Sequence, residues 1–119
     1  MTTNYQRGAN FERRVQADME ARGYVTVRSA GSHSPADVVA LMAGELPVAL
    51  QCKLNGRLDP EEWNEFLSWS NQGGMVAVLA RPPSNRRGIE YMRLTALKKA
   101  RGRQPLETWT PRERNWNGV

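Results

Sequence analysis

An α/β domain with a central mixed sheet flanked by helices is the fold class that the sequence predicts. Three observations lead there. Apolar residues recur at helical spacing in two stretches, one around Phe11 and one around Phe66. Short β-branched or apolar runs, bounded by turn-forming residues, stand between and after those stretches. The 119 residues suffice for one hydrophobic core and not for two.

In residues 8–22, Phe11, Val15 and Met19 recur every four positions with Arg13, Arg14, Gln16, Asp18 and Glu20 between them, which predicts an amphipathic helix. It starts slightly later if Asn10 is its cap. Gly23 stops it, because glycine reaches the left-handed conformation at little cost. Residues 24–28 (YVTVR) are rich in β-branched and aromatic side chains and alternate in polarity, so they read as a strand. Residues 29–35 (SAGSHSP) are small and turn-forming and predict an exposed, mobile loop.

Residues 37–42 and 46–53 are mostly apolar and joined by Ala43-Gly44-Glu45, which suggests a hairpin in the buried part of the sheet. Its polar residues, Asp37 at the start of one strand and Gln51 and Lys53 at the end of the other, would meet at one edge. Asp59-Pro60-Glu61-Glu62 is a strong helix start: an aspartate cap, a proline at the first position and early acidic residues all suit the positive helix end. Trp63, Phe66, Leu67 and Ser70 follow at helical spacing, and the helix should end before Gly73-Gly74. Residues 75–80 read as a buried strand, 81–87 as a loop, 89–94 as an edge strand and 95–100 as a short basic helix. Beyond Gly102 no period is sustained and two prolines intervene, so residues 103–119 read as a tail whose Trp109 or Trp116 docks onto a core or a partner.

Seventeen Lys and Arg against twelve Asp and Glu give a formal charge of +5 and a pI near 10.0, which makes a polyanionic partner plausible. Cys52 is the only cysteine, which excludes an internal disulfide and any cysteine cluster built from one chain, and fits a reducing, cytoplasmic setting. No apolar run approaches the roughly 20 residues needed to cross a bilayer, and the first residues lack the apolar stretch of a signal peptide.

Metal-dependent phosphodiester hydrolysis needs oxygen ligands that hold a hard cation beside the phosphate, and it gains from a nearby positive charge. Asp37 can supply a carboxylate, Gln51 a carbonyl oxygen and Lys53 an ammonium. Gln51 and Lys53 are two apart on a strand and project from one face, while Cys52 points the other way into packing. Glu12, in the first turn of the N-terminal helix, could complete the cluster from a second element.

These residues carry a resemblance. Residues 6–53, with a Gly-x-x-x-Glu-Arg helix start, a Val-Arg-Ser-x-Gly-Ser segment, an Asp opening an apolar strand and a strand ending in Lys53, resemble the archaeal-type Holliday junction resolvases of the PD-(D/E)xK nuclease superfamily. The likeness continues more loosely through EFLSWSNQGGMVAVLA. It implies a restriction-endonuclease-like fold, a nuclease domain over residues 1–102, and catalytic roles for Glu12, Asp37 and Lys53, with Gln51 where the family usually has glutamate. It further implies that Ser32 lies close to the cleaved strand and that Arg13 and Arg28 lie near the DNA and the active site.

The metal ligands so implied are Glu12, Asp37 and Gln51. Ligand hardness points to Mg²⁺, for which Mn²⁺ can substitute. The implied partners are branched DNA and a second copy of the chain, since a twofold dimer can place two sites for two symmetrical nicks in a four-way junction. A small stand-alone resolvase would suit a prokaryote or a bacteriophage. An amide at position 51 keeps an oxygen ligand but removes a full charge, which weakens metal binding. Two other readings remain: a different nuclease on the same fold that cuts flaps, forks or duplex, and a silent DNA-binding module.

The remaining conspicuous residues have plainer readings. His33, the sole histidine, reads as a solvated loop residue and Cys52 as a small core residue. Trp63, Phe66 and Trp69 make the second helix unusually aromatic, and the resemblance, whose matching region contributes to the dimer surface, implies that part of that face buries against a second subunit.

Overall fold

Thr3 starts the first helix. Its side chain accepts the Gln6 amide at 3.1 Å, and the Gln6 side chain accepts the Thr3 amide at 2.9 Å, so two orphan donors are satisfied reciprocally. The computed structural model, which describes residues 2–29, 34–85 and 87–116, therefore has α1 at Asn4–Ala21. This corrects the expected start at residue 8: Gly8 and Asn10 lie inside the helix, and the cap is Thr3 rather than Asn10. Gly23 ends it with φ +104°, and a Cβ there would meet the Arg114 carbonyl oxygen at 2.5 Å, so both conformation and space require glycine.

The strands are β1 (Val25–Arg28), β2 (Val38–Leu41), β3 (Val48–Cys52), β4 (Val76–Arg81), β5 (Glu90–Leu94) and β6 (Leu106–Thr108), with α2 (Pro60–Gln72) between β3 and β4. They form one mixed sheet in chain order. β3 and β4 run parallel, and every other neighbouring pair is antiparallel. A parallel pair needs a crossover, and α2 is that connection.

Strand alternation divides the core in two. Val38, Ala40, Val48, Leu50, Val78 and Ala80 face α1 and pack with its Phe11, Val15 and Met19. Ala49, Ala77 and Leu79 face α2 and pack with Trp63, Phe66 and Leu67. Trp63 and Phe66 are fully buried within one chain. They belong to this core, and of the three aromatic residues only the half-buried Trp69 keeps surface that a second subunit could cover.

Residues 95–100 are not helical as expected. Side chains of α2 take up their backbone groups instead: Trp63 Nε1 donates to the Ala96 carbonyl at 2.8 Å, and Asn64 both accepts from the Lys98 amide at 2.8 Å and donates to its carbonyl at 3.0 Å. β5 is not an edge strand, because β6 lies outside it, and β6 falls in the stretch read as a tail. After β6, Trp109 packs edge-on against Tyr91 with ring centroids 6.1 Å apart. The Arg112 amide donates to Tyr24 Oη at 3.1 Å, and Trp116 Nε1 donates to the Gly23 carbonyl at 2.8 Å. Among the described residues, no helix is long and apolar enough to cross a membrane.

Candidate active site

The hairpin of β2 and β3 brings Asp37, Gln51 and Lys53 together at its open end. The Asp37 amide donates to the Leu50 carbonyl at 2.8 Å, extending the β2–β3 ladder by one residue. Its carboxylate then accepts the Cys52 amide at 2.8 Å, so the side chain is clamped across the end of β3. Gln51 shares the α2-facing side of β3 with Ala49, whereas Cys52 packs into the α1-facing core.

Gln51 Nε2 donates to the Pro35 carbonyl. A carbonyl can only accept, so this contact fixes which way the amide is turned. The Gln51 oxygen is left without a hydrogen-bond partner among the described residues and is available to a cation.

Glu12 reaches the same end from α1. Its carboxylate pairs with Arg28 Nε at 3.2 Å, and Arg28 stands opposite Val38, one residue beyond Asp37. Lys53 follows the end of β3, where its amide still donates to the Ala80 carbonyl at 2.9 Å; its ammonium meets Glu62 Oε2 at 2.9 Å. Sequence reasoning treated Glu62 only as a favourable charge at a helix start. Nothing in strand periodicity shows that the first turn of α2 overhangs the end of β3.

Electrostatics tie these groups together. Burial raises the Asp37 pKa above the ordinary aspartate value of 3.8. The Cys52 amide opposes that shift, the Glu12 carboxylate adds to it, and Lys53 and Arg28 reduce it. Burial also pushes the Cys52 thiol up, with Asp37 and Glu12 adding to the effect, so the thiol stays protonated and is no nucleophile.

The residues suit a hard divalent cation. Glu12 and Asp37 offer two carboxylates and Gln51 a neutral oxygen, a set fitting an octahedral ion that keeps several of its waters. A cation there would also relieve the burial and carboxylate repulsion that Asp37 bears. Among the described residues, no three His, Cys, Asp or Glu come together as a metal cluster.

Ser32 and His33 lie outside the described residues. Arg13 is exposed on α1 and lines a shallow hollow with Arg28, Tyr5 and Asn10. On the other side of the site, Lys53, Arg57, Asp59, Glu62, Arg81 and Lys98 line an open cleft of about 980 Å³.

Comparison with known proteins bears on the fold and the family. A structure of a Holliday junction resolvase from the hyperthermophilic archaeon Archaeoglobus fulgidus is 22% identical, covers 71% of this chain and 70% of its own, and superposes with a TM-score of 0.60, which supports the restriction-endonuclease-like α/β fold. No curated protein sequence matches. A sequence model described as archaeal Holliday junction resolvase (hjc) matches residues 3–104, and the chain belongs to that family.

Proposed function

We propose that this Holliday junction resolvase cuts by Mg²⁺-dependent hydrolysis of a phosphodiester at the open end of the β2–β3 hairpin. The observation that carries the reading is the convergence of Asp37, Gln51 and Lys53 there, with Glu12 held beside them by Arg28. Glu12, Asp37 and the Gln51 oxygen would hold the ion. When bound, it would neutralise the phosphate and lower the pKa of water. Mn²⁺, which also takes octahedral oxygen ligands, would serve as well.

The chain's own groups have separate tasks. The Cys52 amide and the Pro35 carbonyl fix Asp37 and Gln51 before substrate arrives, so little reorganisation is left for the reaction. Lys53 lends positive charge to the phosphoryl oxygens as charge builds up on them. Arg28 positions Glu12 and, with Arg13 on the neighbouring turn of α1, offers cations to the strand that enters the site. Ser32, outside the described residues, is assigned a contact with the same strand on the family resemblance alone.

The working unit proposed is a homodimer. Register pairs Val25 with Leu41 and Val27 with Val39, which puts all four on the α2 side of the sheet at its β1 edge. Val25 and Val27 are 65% and 57% exposed there, and Leu41 is exposed beside them. Water-facing valines in a sheet face favour association with a like surface, and a twofold pair would present two sites to strands of like polarity.

A gel assay with synthetic four-way junctions, linear duplex and Mg²⁺ tests the proposal. Paired nicks near the branch are expected. Cuts in plain duplex would favour a different nuclease, and binding without cleavage would favour a silent module.

A further inference from the structure

Gln51 leaves the site short of one negative charge, and the charge nearest to Lys53 comes from another element. Asp59 caps α2 by accepting the Glu62 amide at 2.8 Å, and Pro60 pre-sets the first turn, so the backbone of Glu62 is fixed. From there its carboxylate lies 2.9 Å from the Lys53 ammonium, with both side chains partly withdrawn from water. A glutamate at this helix position is favourable for the dipole alone, but Glu61 already satisfies that preference from the same turn. Glu62 also forms the wall of the cleft that opens beyond Lys53.

The formal charges can be counted. Asp37 together with the Glu12–Arg28 and Glu62–Lys53 pairs carries three negative and two positive formal charges, a net −1 among these five groups. Without Glu62 the same groups sum to zero. The amide at position 51 contributes nothing to the count, whereas a glutamate there would add a negative charge on the Lys53 face of β3.

We infer that Glu62 is a positioning residue that holds the Lys53 ammonium from α2 and supplies to the site the negative charge that Gln51 lacks. The inference rests on the active-site reading above and adds to it a residue that acts through Lys53. Lys53 is thereby kept in one place over the cleft, and the site keeps the net attraction for a cation that the unbalanced ammonium would cancel.

The test is a charge relocation in the full-length chain. Glu62→Gln should weaken Mn²⁺ binding, read by calorimetry without DNA, by about threefold or more. It should slow single-turnover cleavage of a four-way junction by about tenfold, with junction affinity in Ca²⁺ unchanged. Adding Gln51→Glu to that variant should restore both readings, which a damaged helix start would not allow. Equal metal affinity and cleavage in Glu62→Gln would overturn the inference, and so would a double variant no better than the single one. Asp37→Asn is the control: if it is inactive while Glu62→Gln cuts normally, only the role of Glu62 falls, whereas normal cutting by Asp37→Asn removes the active-site reading itself.

Discussion

Asp37 is held at a thermodynamic disadvantage by its surroundings. Its folded pKa lies above 3.8, chiefly through burial, so the folded chain binds the proton more tightly than the unfolded one. Stability is therefore lost as pH rises from the unfolded pKa through the folded one, so the ionised carboxylate weakens the metal-free fold. Asp37→Asn keeps an oxygen that accepts the Cys52 amide and removes the charge, so its melting temperature without metal should equal or exceed that of the wild type. A lower melting temperature would show that the carboxylate stabilises the fold. Gln51→Glu should preserve or raise cleavage at low Mg²⁺, and complete loss would give the amide a role beyond donating oxygen. Asp37, Gln51 and Lys53 were legible because strand parity and a short hairpin turn place them. Glu12 needed the family resemblance, and Glu62 depends on how α2 overhangs the sheet, which no local pattern encodes.

At the scale of elements, α1 carries a glycine in its interior. Gly8 lies within Asn4–Ala21, and a Cβ there would meet nothing within 4 Å. Gly8→Ala should stabilise the chain by about 0.5–1 kcal/mol in urea unfolding, because alanine loses less backbone entropy in a helix. A destabilised variant would mean that α1 starts after Gly8. The capping box of Thr3 and Gln6 was present in the sequence, but the apolar period begins only at Phe11 and drew the boundary inward. Residues 95–100 read as a helix from local propensity, yet Trp63 and Asn64 capture their backbone from outside, a tertiary effect. β6 has three residues, too few to display an alternation.

At the scale of the whole molecule, the helices cover the sheet unevenly. α1 packs on β1, β2 and β3, while α2 packs on β4 on the opposite side. The β1–β2 surface on that side keeps its valines exposed. The sequence showed which residues are apolar but not which face a helix would cover, so the aromatic residues of α2 drew the interface expectation, whereas the proposed dimer contact lies on the exposed Val25 and Val27. Val27→Asp should halve the mass in sedimentation while leaving the far-ultraviolet circular dichroism unchanged. A dimer of unchanged mass would move the interface away from β1. Loss of the dimer should also uncouple the two nicks, leaving singly nicked junctions.

If one cation-dependent site at the end of the β2–β3 hairpin cuts the junction, cleavage requires both the metal and Asp37. Single-turnover cleavage of a four-way junction by the wild type and by Asp37→Asn, in chelator and in Mg²⁺, tests it most directly. The wild type should cut only with the metal, and Asp37→Asn should bind the junction but not cut it in either condition. Cleavage by the wild type in chelator, or normal cleavage by Asp37→Asn, would contradict the account.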